Sequence, residues 1–378
     1  MNTLTTVGIL IHSSSGGLFS NGMLQNGYFL YKCLQNAGFV PIFLCKDTPV
    51  PFAHKSISLQ QFSTDPSIYN VTSCGLIITL TKIFNEDESA YLKKNHVTVV
   101  SYTCGNQIVS HHEEFLFDLG LPTSAFTSRF MPIDEVWLIP SYAHAKHYIE
   151  VVRDRPVFLV PHLWSSSILL DEAKSKFHKT VTDLTYNPLK HASKKIDVVI
   201  VEPNIQTFKS AWIPLVACEK LMKDVPDLID NIYVFNFPKH KRAHDIVSHM
   251  KIQSKIKKFA RMHIAEIMAF FNSKDTMPIF VSYQYLNGLN YLYYELLAFG
   301  YPLVHNSTDM GACGYHYPDT DVAKCAEAIQ RAHKNYAYDI LEQKKHTNVL
   351  LQSVNPDHSE VVNTIKTMVL GAHQKYSH

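Results

Sequence analysis

The sequence predicts an α/β protein of two parallel-sheet domains facing each other across a cleft. Short apolar, β-branched runs alternate with stretches of helical period in both halves of the chain. Most of these runs end at once in small or polar residues, as loops do where they gather at the carboxyl ends of parallel strands. The length of 378 residues exceeds one ordinary core and suits two domains of roughly 150–200 residues each.

The elements follow in order. Residues 7–12 form an apolar strand that ends in Ser13-Ser14-Ser15-Gly16-Gly17. Met23, Gly27, Leu30 and Leu34 then recur at helical spacing up to Gly38, and residues 40–44 are the next strand. Further strands are expected at 76–80, 97–101, 136–139 and 157–160. Between about 163 and 195 the pattern weakens into polar and basic residues, with Asn187-Pro188 and Lys194-Lys195, which reads as a link. A second alternation has strands at 196–201, 231–237, 279–281 and 303–305. Ala323, Ala326, Ala328 and Ile329 mark a helix after Asp321, and Val361, Ile365 and Met368 mark another. The expected bounds are a Rossmann-like domain at 1–165, a linker at 166–195 and a second Rossmann-like domain at 196–350. A C-terminal helix at 351–378 is expected to pack back on the first domain.

Composition narrows the class. A hydrophobic content of 46% with 18% charged residues describes a globular chain rather than a disordered or fibrous one. The start, MNTLTTVGILIHSSS, has no basic n-region and too short an apolar run for a signal peptide. No stretch approaches the roughly 20 apolar residues that span a bilayer. Seven cysteines without a C-x-x-C pair read as scattered thiols in a reducing compartment, so a cytoplasmic location is expected. Abundant Tyr, Phe, Asn, Lys and His beside only 14 Gly points to an AT-rich genome such as a phage's.

The most informative segment is 279–311. A buried strand runs into a polar loop at Asn287-Gly288, a helix carries Glu295, Gly300-Tyr301-Pro302 stops it, and a second strand ends in another Gly-bearing loop. The unit sets helix-start amides and one carboxylate beside the ends of parallel strands, where open α/β sheets bind nucleotides. Its partner follows the 196–201 strand as Glu202-Pro203-Asn204, with Lys209 five residues beyond Asn204. A lysine on such a loop can neutralise a diphosphate, and loop amides add donors.

On these residues the second half resembles the donor domain of GT-B glycosyltransferases. In that family a basic residue, four intervening positions and a lysine hold the donor phosphates. Asn204 and Lys209 have this spacing, with Asn in place of the basic residue. Two glutamates separated by seven residues follow later in the family, the first for the sugar and the second for the ribose. Asn287 and Gly288 stand where the first is expected, and Glu295 matches the second. The resemblance implies that Lys209 and nearby amides hold the diphosphate and Glu295 the ribose. The sugar is expected at Asn287, Asn290 and the Asp309-Met310-Gly311 loop, with Gly288 and Tyr291 as further donor-binding residues. The missing first glutamate leaves open any retaining mechanism that needs it. More narrowly, EPNIQTFKSAWIPLVACE, LNYLYYELLAFGYPLVHN and VPHLW at 160–164 resemble a bacterial and phage family long without assigned function, whose members look like glycosyltransferases of this fold. Residues 102–106 and 113–117 match it less closely.

The first domain is expected to bind the acceptor and supply a general base. Candidate bases are Glu113, His112, His111 and His12, since a sugar hydroxyl must lose a proton as it attacks. Gly16, Gly17 and Asn106 are the candidate acceptor contacts, glycines allowing close backbone approach. Asp319-Thr320-Asp321 precedes a helix and reads as an N-cap rather than a metal site. No H-E-x-x-H or zinc spacing occurs. The resemblance implies a metal-independent enzyme with no cofactor beyond a nucleotide-sugar co-substrate, expected to be UDP-linked.

Against a total charge of +2, residues 239–263 hold eight basic residues and one acid, Asp245. The eight are Lys239, Lys241, Arg242, Lys251, Lys255, Lys257, Lys258 and Arg261. A solvated helix face is the plain reading, and a polyanion or an anionic membrane surface is the functional one. With the phage-like composition and the family's presence in phages, the expected acceptor is 5-hydroxymethylcytosine in double-stranded DNA, receiving glucose or arabinose. The rivals are a cell-surface polysaccharide or lipid-linked acceptor and a catalytically silent nucleotide-sugar-binding protein. A two-lobed periplasmic binding protein would need an export signal.

Overall fold

The computed structural model describes residues 4–11, 22–46, 57, 59–80, 84–117, 131–190, 195–205 and 207–377. The chain divides into two compact units, one of Met1–Ser165 with Gln352–His378 and one of Ser166–Leu351.

In the first unit the chain runs β1 (Thr6–Ile11), α1 (Gly22–Asn36), β2 (Val40–Cys45), β3 (Leu59–Gln61), β4 (Leu76–Thr79), α2 (Glu86–Lys94) and β5 (Thr98–Thr103). It continues through α3 (Gln107–Leu116), β6 (Glu135–Leu138), α4 (Lys146–Arg153) and β7 (Val157–Leu159). The strands form one parallel sheet in the order β3-β2-β1-β4-β5-β6-β7. Every residue of β4, β5 and β6 is buried, the pattern of a sheet covered on both faces.

In the second unit α5 (Ser167–Phe177) and α6 (Val181–Leu184) precede β8 (Ile196–Ile200). Residues 166–184, which lack a clear pattern in sequence, thus carry two helices and group with the second unit. Then follow α7 (Trp212–Asp224), β9 (Ile229–Val234), α8 (Lys241–Ser248), β10 (Ile256–Lys258), α9 (Ile264–Asn272) and β11 (Met277–Val281). The unit continues with α10 (Tyr291–Ala298), β12 (Leu303–His305), β13 (Tyr315–His316) and α11 (Val322–Val354). Its parallel sheet is ordered β10-β9-β8-β11-β12-β13. The last helix, α12 (Ser359–Tyr376), groups with the first unit and lies against α1. It buries Val361, Ile365, Val369 and Ala372, a stripe of helical period.

One charge interrupts the apolar β8. Asp197 is fully buried, and its carboxylate accepts from Thr276 Oγ1 at 2.5 Å, Lys274 Nζ at 3.0 Å and Asn231 Nδ2 at 3.2 Å. A buried carboxylate is tolerated when it is paired and hydrogen-bonded.

In both sheets the chain winds outward from a middle strand, then crosses back to start the other side. The switch points fall between β1 and β4 and between β8 and β11. The carboxyl ends of the strands flanking such a point are where open α/β sheets bind ligands. The loop after β1, which holds His12, Gly16 and Gly17, lies outside the described residues.

Candidate functional site

At the β8–β11 switch point the two loops are joined. Lys209 and Gln284 form an isolated antiparallel bridge, and the Tyr285 N–H donates to the Phe208 carbonyl at 3.0 Å. Joined to the bridge through the Gln284 side chain is Glu202, the second residue past β8 and 0% exposed. One of its oxygens accepts from Ser282 Oγ, the other from Gln284 Nε2 at 3.1 Å. The Ser282 hydroxyl also meets the Tyr293 hydroxyl at 2.8 Å. Burial pushes the Glu202 carboxyl up to about 7, against the opposing pull of Ser282, Lys209, Gln284 and the Tyr283 amide. The sequence pattern does not single out Glu202. Its signal is a charged residue placed directly after a wholly apolar strand end.

Lys209 is partly exposed by residue area, yet its ammonium is desolvated. Burial lowers its pKa, and Glu202 pulls the other way. Among the described residues its ammonium makes no hydrogen bond or ion pair, so three donors remain unspent.

Asn204 is used differently from the role its spacing implies. It adopts a left-handed backbone at φ 55°. Its amide nitrogen donates to the carbonyls of Glu202 at 2.9 Å and Asn236 at 3.2 Å, and its oxygen accepts from the Ala211 N–H at 2.7 Å. Both ends of the side chain thus brace the loop and the start of α7.

Helix α10 supplies the second half of the site. Asn290 caps it by accepting from the Leu292 N–H at 3.2 Å. Gly300 ends it at φ 74°, with Tyr301 N–H to Leu296 O at 2.9 Å and Gly300 N–H to Leu297 O at 3.1 Å, a Schellman pair. Tyr291 is the first residue of the helix and half-buried. Glu295, one turn further in, is 7% exposed. Its carboxylate has no hydrogen-bond or ionic partner among the described residues, and burial alone pushes its pKa up to about 8.

The loops around α10 are tied to one another. Asn287 donates from Nδ2 to Gln284 Oε1 at 2.5 Å and to the Leu289 carbonyl at 3.0 Å. Asn287, Gln284, Glu202, Ser282 and Tyr293 therefore form one continuous polar chain. Gly288 faces Asp309 from the neighbouring loop, where an added Cβ would come within 1.9 Å of Asp309 Oδ2. Ser307 Oγ donates to the Gly288 carbonyl at 2.8 Å and accepts from the Asp309 N–H at 3.2 Å. That clasp brings Gly288 and Asp309 together, while Met310 is buried and Gly311 turns the loop at φ 57°. His305 is locked neutral: Nε2–H donates to the Cys313 carbonyl at 2.8 Å, Nδ1 accepts from Ser307 N–H at 3.2 Å, and burial lowers its pKa to about 4.

In the first unit the other candidates lie on α3, after β5. Asn106 is its N-cap, accepting from the Val109 N–H at 3.2 Å. His111 and Glu113 are buried and His112 is exposed; His111 Nδ1 lies 2.9 Å from the Tyr148 hydroxyl. This segment is therefore a capped helix that buries His111 and Glu113 and exposes His112, not a set of three groups facing one way.

The basic run surrounds the β10 edge of the second sheet. Lys239, Lys241, Arg242, Lys251, Lys257, Lys258 and Arg261 are exposed, whereas Lys255 turns to the Ile229 carbonyl. Lys257 and Lys258 on an edge strand also block pairing with other chains. Lys258 Nζ lies 4.5 Å from the Phe237 ring centroid. Asp321 N-caps α11 by accepting from the Lys324 N–H at 2.9 Å. Among the described residues no three His, Cys, Asp or Glu side chains are grouped to hold a metal ion, and no helix is long and apolar enough to cross a membrane.

Solved structures match nearly the whole chain. The Anabaena HepE protein in complex with UDP-glucose aligns at TM-score 0.60 and 10% identity over 97% of this chain and 99% of that one. The apo lipopolysaccharide outer core galactosyltransferase WaaB aligns at 0.57 and 10% over 97% and 99%. An α-glucosyltransferase in complex with UDP and a 13-mer DNA containing a HMU base aligns at 0.56 and 13% over 98% and 99%. At these identities the likeness establishes the fold, two parallel-sheet α/β domains of the GT-B type. A search of curated proteins finds no match. A family profile, in contrast, matches residues 6–369, and the chain belongs to the DUF2827 family, proteins of unknown function.

Proposed function

We propose that the protein is a glycosyltransferase that moves a sugar from a nucleotide diphosphate donor, UDP-linked, to a hydroxyl acceptor without a bound metal. One observation carries the reading: a desolvated ammonium that makes no hydrogen bond or close ion pair, and a buried carboxyl that makes none either, both among the described residues, sit on the loop and helix that follow adjacent strands. Lys209 would take the diphosphate and its developing charge on departure. Glu295 would accept from the two ribose hydroxyls, which suits a carboxylate. Asn287, Gly288, Asn290, Tyr291 and the Asp309–Met310–Gly311 loop would line the sugar. Asn204 would serve by bracing the loop that carries Lys209. The acceptor's proton is assigned to α3, with His112 exposed and Glu113 and His111 buried. The test is thermal-shift titration with UDP and UDP-sugars, followed by donor-hydrolysis assays on the best ligand. No stabilisation by any nucleotide would overturn the donor site, and tight binding without hydrolysis or transfer would leave a silent sensor.

For the acceptor, 5-hydroxymethylcytosine in double-stranded DNA is the reading we favour, supported by the exposed cations of residues 239–261 and by the fold shared with the HMU-DNA glucosyltransferase. Lys239, Lys241, Arg242, Lys257, Lys258 and Arg261 would contact phosphates, while Lys255 is spent inside the chain. DNA affinity should fall steeply with salt, and replacing both Lys241 and Arg242 by Ala should reduce the log–log salt slope by about 2. Mass spectrometry of hydroxymethylated DNA incubated with the protein and a UDP-sugar reads transfer directly. DNA binding that stays constant from low to high salt sinks this acceptor. The likeness to WaaB favours the second reading, a polysaccharide or lipid-linked acceptor.

A further inference from the structure

Glu202 has no part in the roles assigned above, yet it is the hub of the polar chain at the switch point. It is fully buried, reached by donors from Ser282, Gln284 and the Tyr283 amide, and its charge acts on Lys209. The groups that face it are few. From its own loop comes Lys209, from α10 Tyr293, and from the segment after β13 Tyr317, whose hydroxyl donates to the Ser282 carbonyl at 2.8 Å. Lys209 is the single cation acting on it among the described residues.

We propose that Glu202 is a positioning residue for the diphosphate subsite: its carboxylate is the resident counter-charge of Lys209 in the empty site, and a bound diphosphate replaces it, with one proton from solvent taken up on Glu202. The inference rests on the donor-site reading of Lys209.

The physics is simple. A buried ammonium and a buried carboxylate offset part of each other's desolvation. A diphosphate at Lys209 adds negative charge beside Glu202 and absorbs the attraction of its one cation. Both changes disfavour the carboxylate and favour the acid. Binding then takes up a proton, so Glu202 loosens the grip on the diphosphate as pH rises above neutrality. Its hydrogen bonds do separate work, holding Ser282 and Gln284 so that the loops of β8 and β11 stay joined. Glu202 thereby sets both the place of Lys209 and the ease with which the nucleotide leaves.

The experiment is the affinity for UDP from pH 7 to 8.5 in the full chain, for wild type and Glu202→Gln. Glu202 stands at about 7 in the empty site, so its proton uptake costs roughly tenfold in affinity at pH 8. Glu202→Gln should therefore bind UDP about tenfold more tightly than wild type at pH 8, with the advantage shrinking towards pH 7. Calorimetry at pH 8 in Hepes and in Tris should show less proton uptake for the variant. A residue that only braces the loops gives the opposite sign, weaker binding at every pH, and that result overturns the proposal. Should Glu202→Gln fail to fold, Ser282→Ala keeps the carboxylate and removes a donor to its charged form. The pH at which UDP affinity falls should then move up, and an unmoved midpoint also overturns the proposal. If wild type binds UDP and neither variant alters the pH profile, this inference fails while the donor site stands. If wild type binds no UDP, the donor-site reading fails and this inference with it.

Discussion

Replacing Lys209 by methionine should raise the dissociation constant for UDP roughly 10- to 100-fold, the worth of a charge-assisted hydrogen bond to phosphate of about 1.5–3 kcal/mol. Methionine keeps the length and apolar stem of the side chain, so the fold is expected to persist. Lys209 makes its loop contacts through the backbone: its carbonyl accepts from the Asn204 N–H at 3.3 Å, and its bridge to Gln284 is a main-chain pairing. Calorimetric titration with UDP checks the affinity, and melting of the ligand-free protein checks the fold. The loss should extend to turnover, because the same cation would stabilise the diphosphate as it leaves. Normal UDP affinity in a folded Lys209→Met protein rules out this lysine as the phosphate contact.

Glu295→Gln should separate stability from binding, moving them in opposite directions. The Glu295 carboxyl is raised from 4.5 to about 8 in the folded protein. A raised carboxyl means that the folded state keeps a proton the unfolded chain releases. Folding stability therefore declines as pH rises from about 4.5 to about 8 and levels off above. The cost at pH 8 is on the order of 4 kcal/mol, at about 1.4 kcal/mol per pKa unit. Glutamine carries no charge, so the ligand-free variant should melt higher than wild type at pH 8 and near wild type at pH 5. UDP affinity should meanwhile drop roughly 10- to 100-fold, as charge-assisted bonds to the ribose are lost. Pyrophosphate, which has no ribose, should bind both proteins alike. A Glu295→Gln protein that is both less stable at pH 8 and unchanged in UDP affinity would reduce Glu295 to a structural residue. The arrangement fits a functional site, where a buried carboxyl without a hydrogen-bond partner among the described residues is kept at a cost to the fold.

Residues 279–311 were legible because their chemistry is local. Asn290 caps α10, Gly300 ends it, and Glu295 falls inside it, all within a dozen positions whose spacing the sequence displays. The parallel sheets were legible for a related reason: strands buried on both faces read as near-continuous apolar runs, as β4 and β11 do and as β8 does apart from Asp197. Residues 166–184 were less legible. Their helices are short and are stabilised by distant partners, such as the Asn272 side-chain amide donating to the Thr182 carbonyl at 3.1 Å and His263 Nε2 meeting Glu172 Oε2 at 3.0 Å. Asn204 shows the limit of spacing as a guide. Its distance from Lys209 in sequence suggests a ligand contact, and its left-handed backbone turns the side chain onto carbonyls of its own loop and of the β9 end.

By itself the sequence determined the α/β class, the alternation of elements, the loop that carries Lys209 and the helix that carries Glu295, since these follow from apolar period and turn chemistry. Only the tertiary structure decided that the buried Glu202 acts on Lys209, that Asn287 connects to Glu202 through Gln284, and that Asp309 meets Gly288. Two of the hydrogen bonds behind them, Gln284 to Glu202 and Ser307 to Gly288, span 82 and 19 positions. They exist because strand order sets β8 beside β11 and β11 beside β12. Burial then converts that proximity into shifted proton affinities, and neither strand order nor burial is written in the spacing of any one motif.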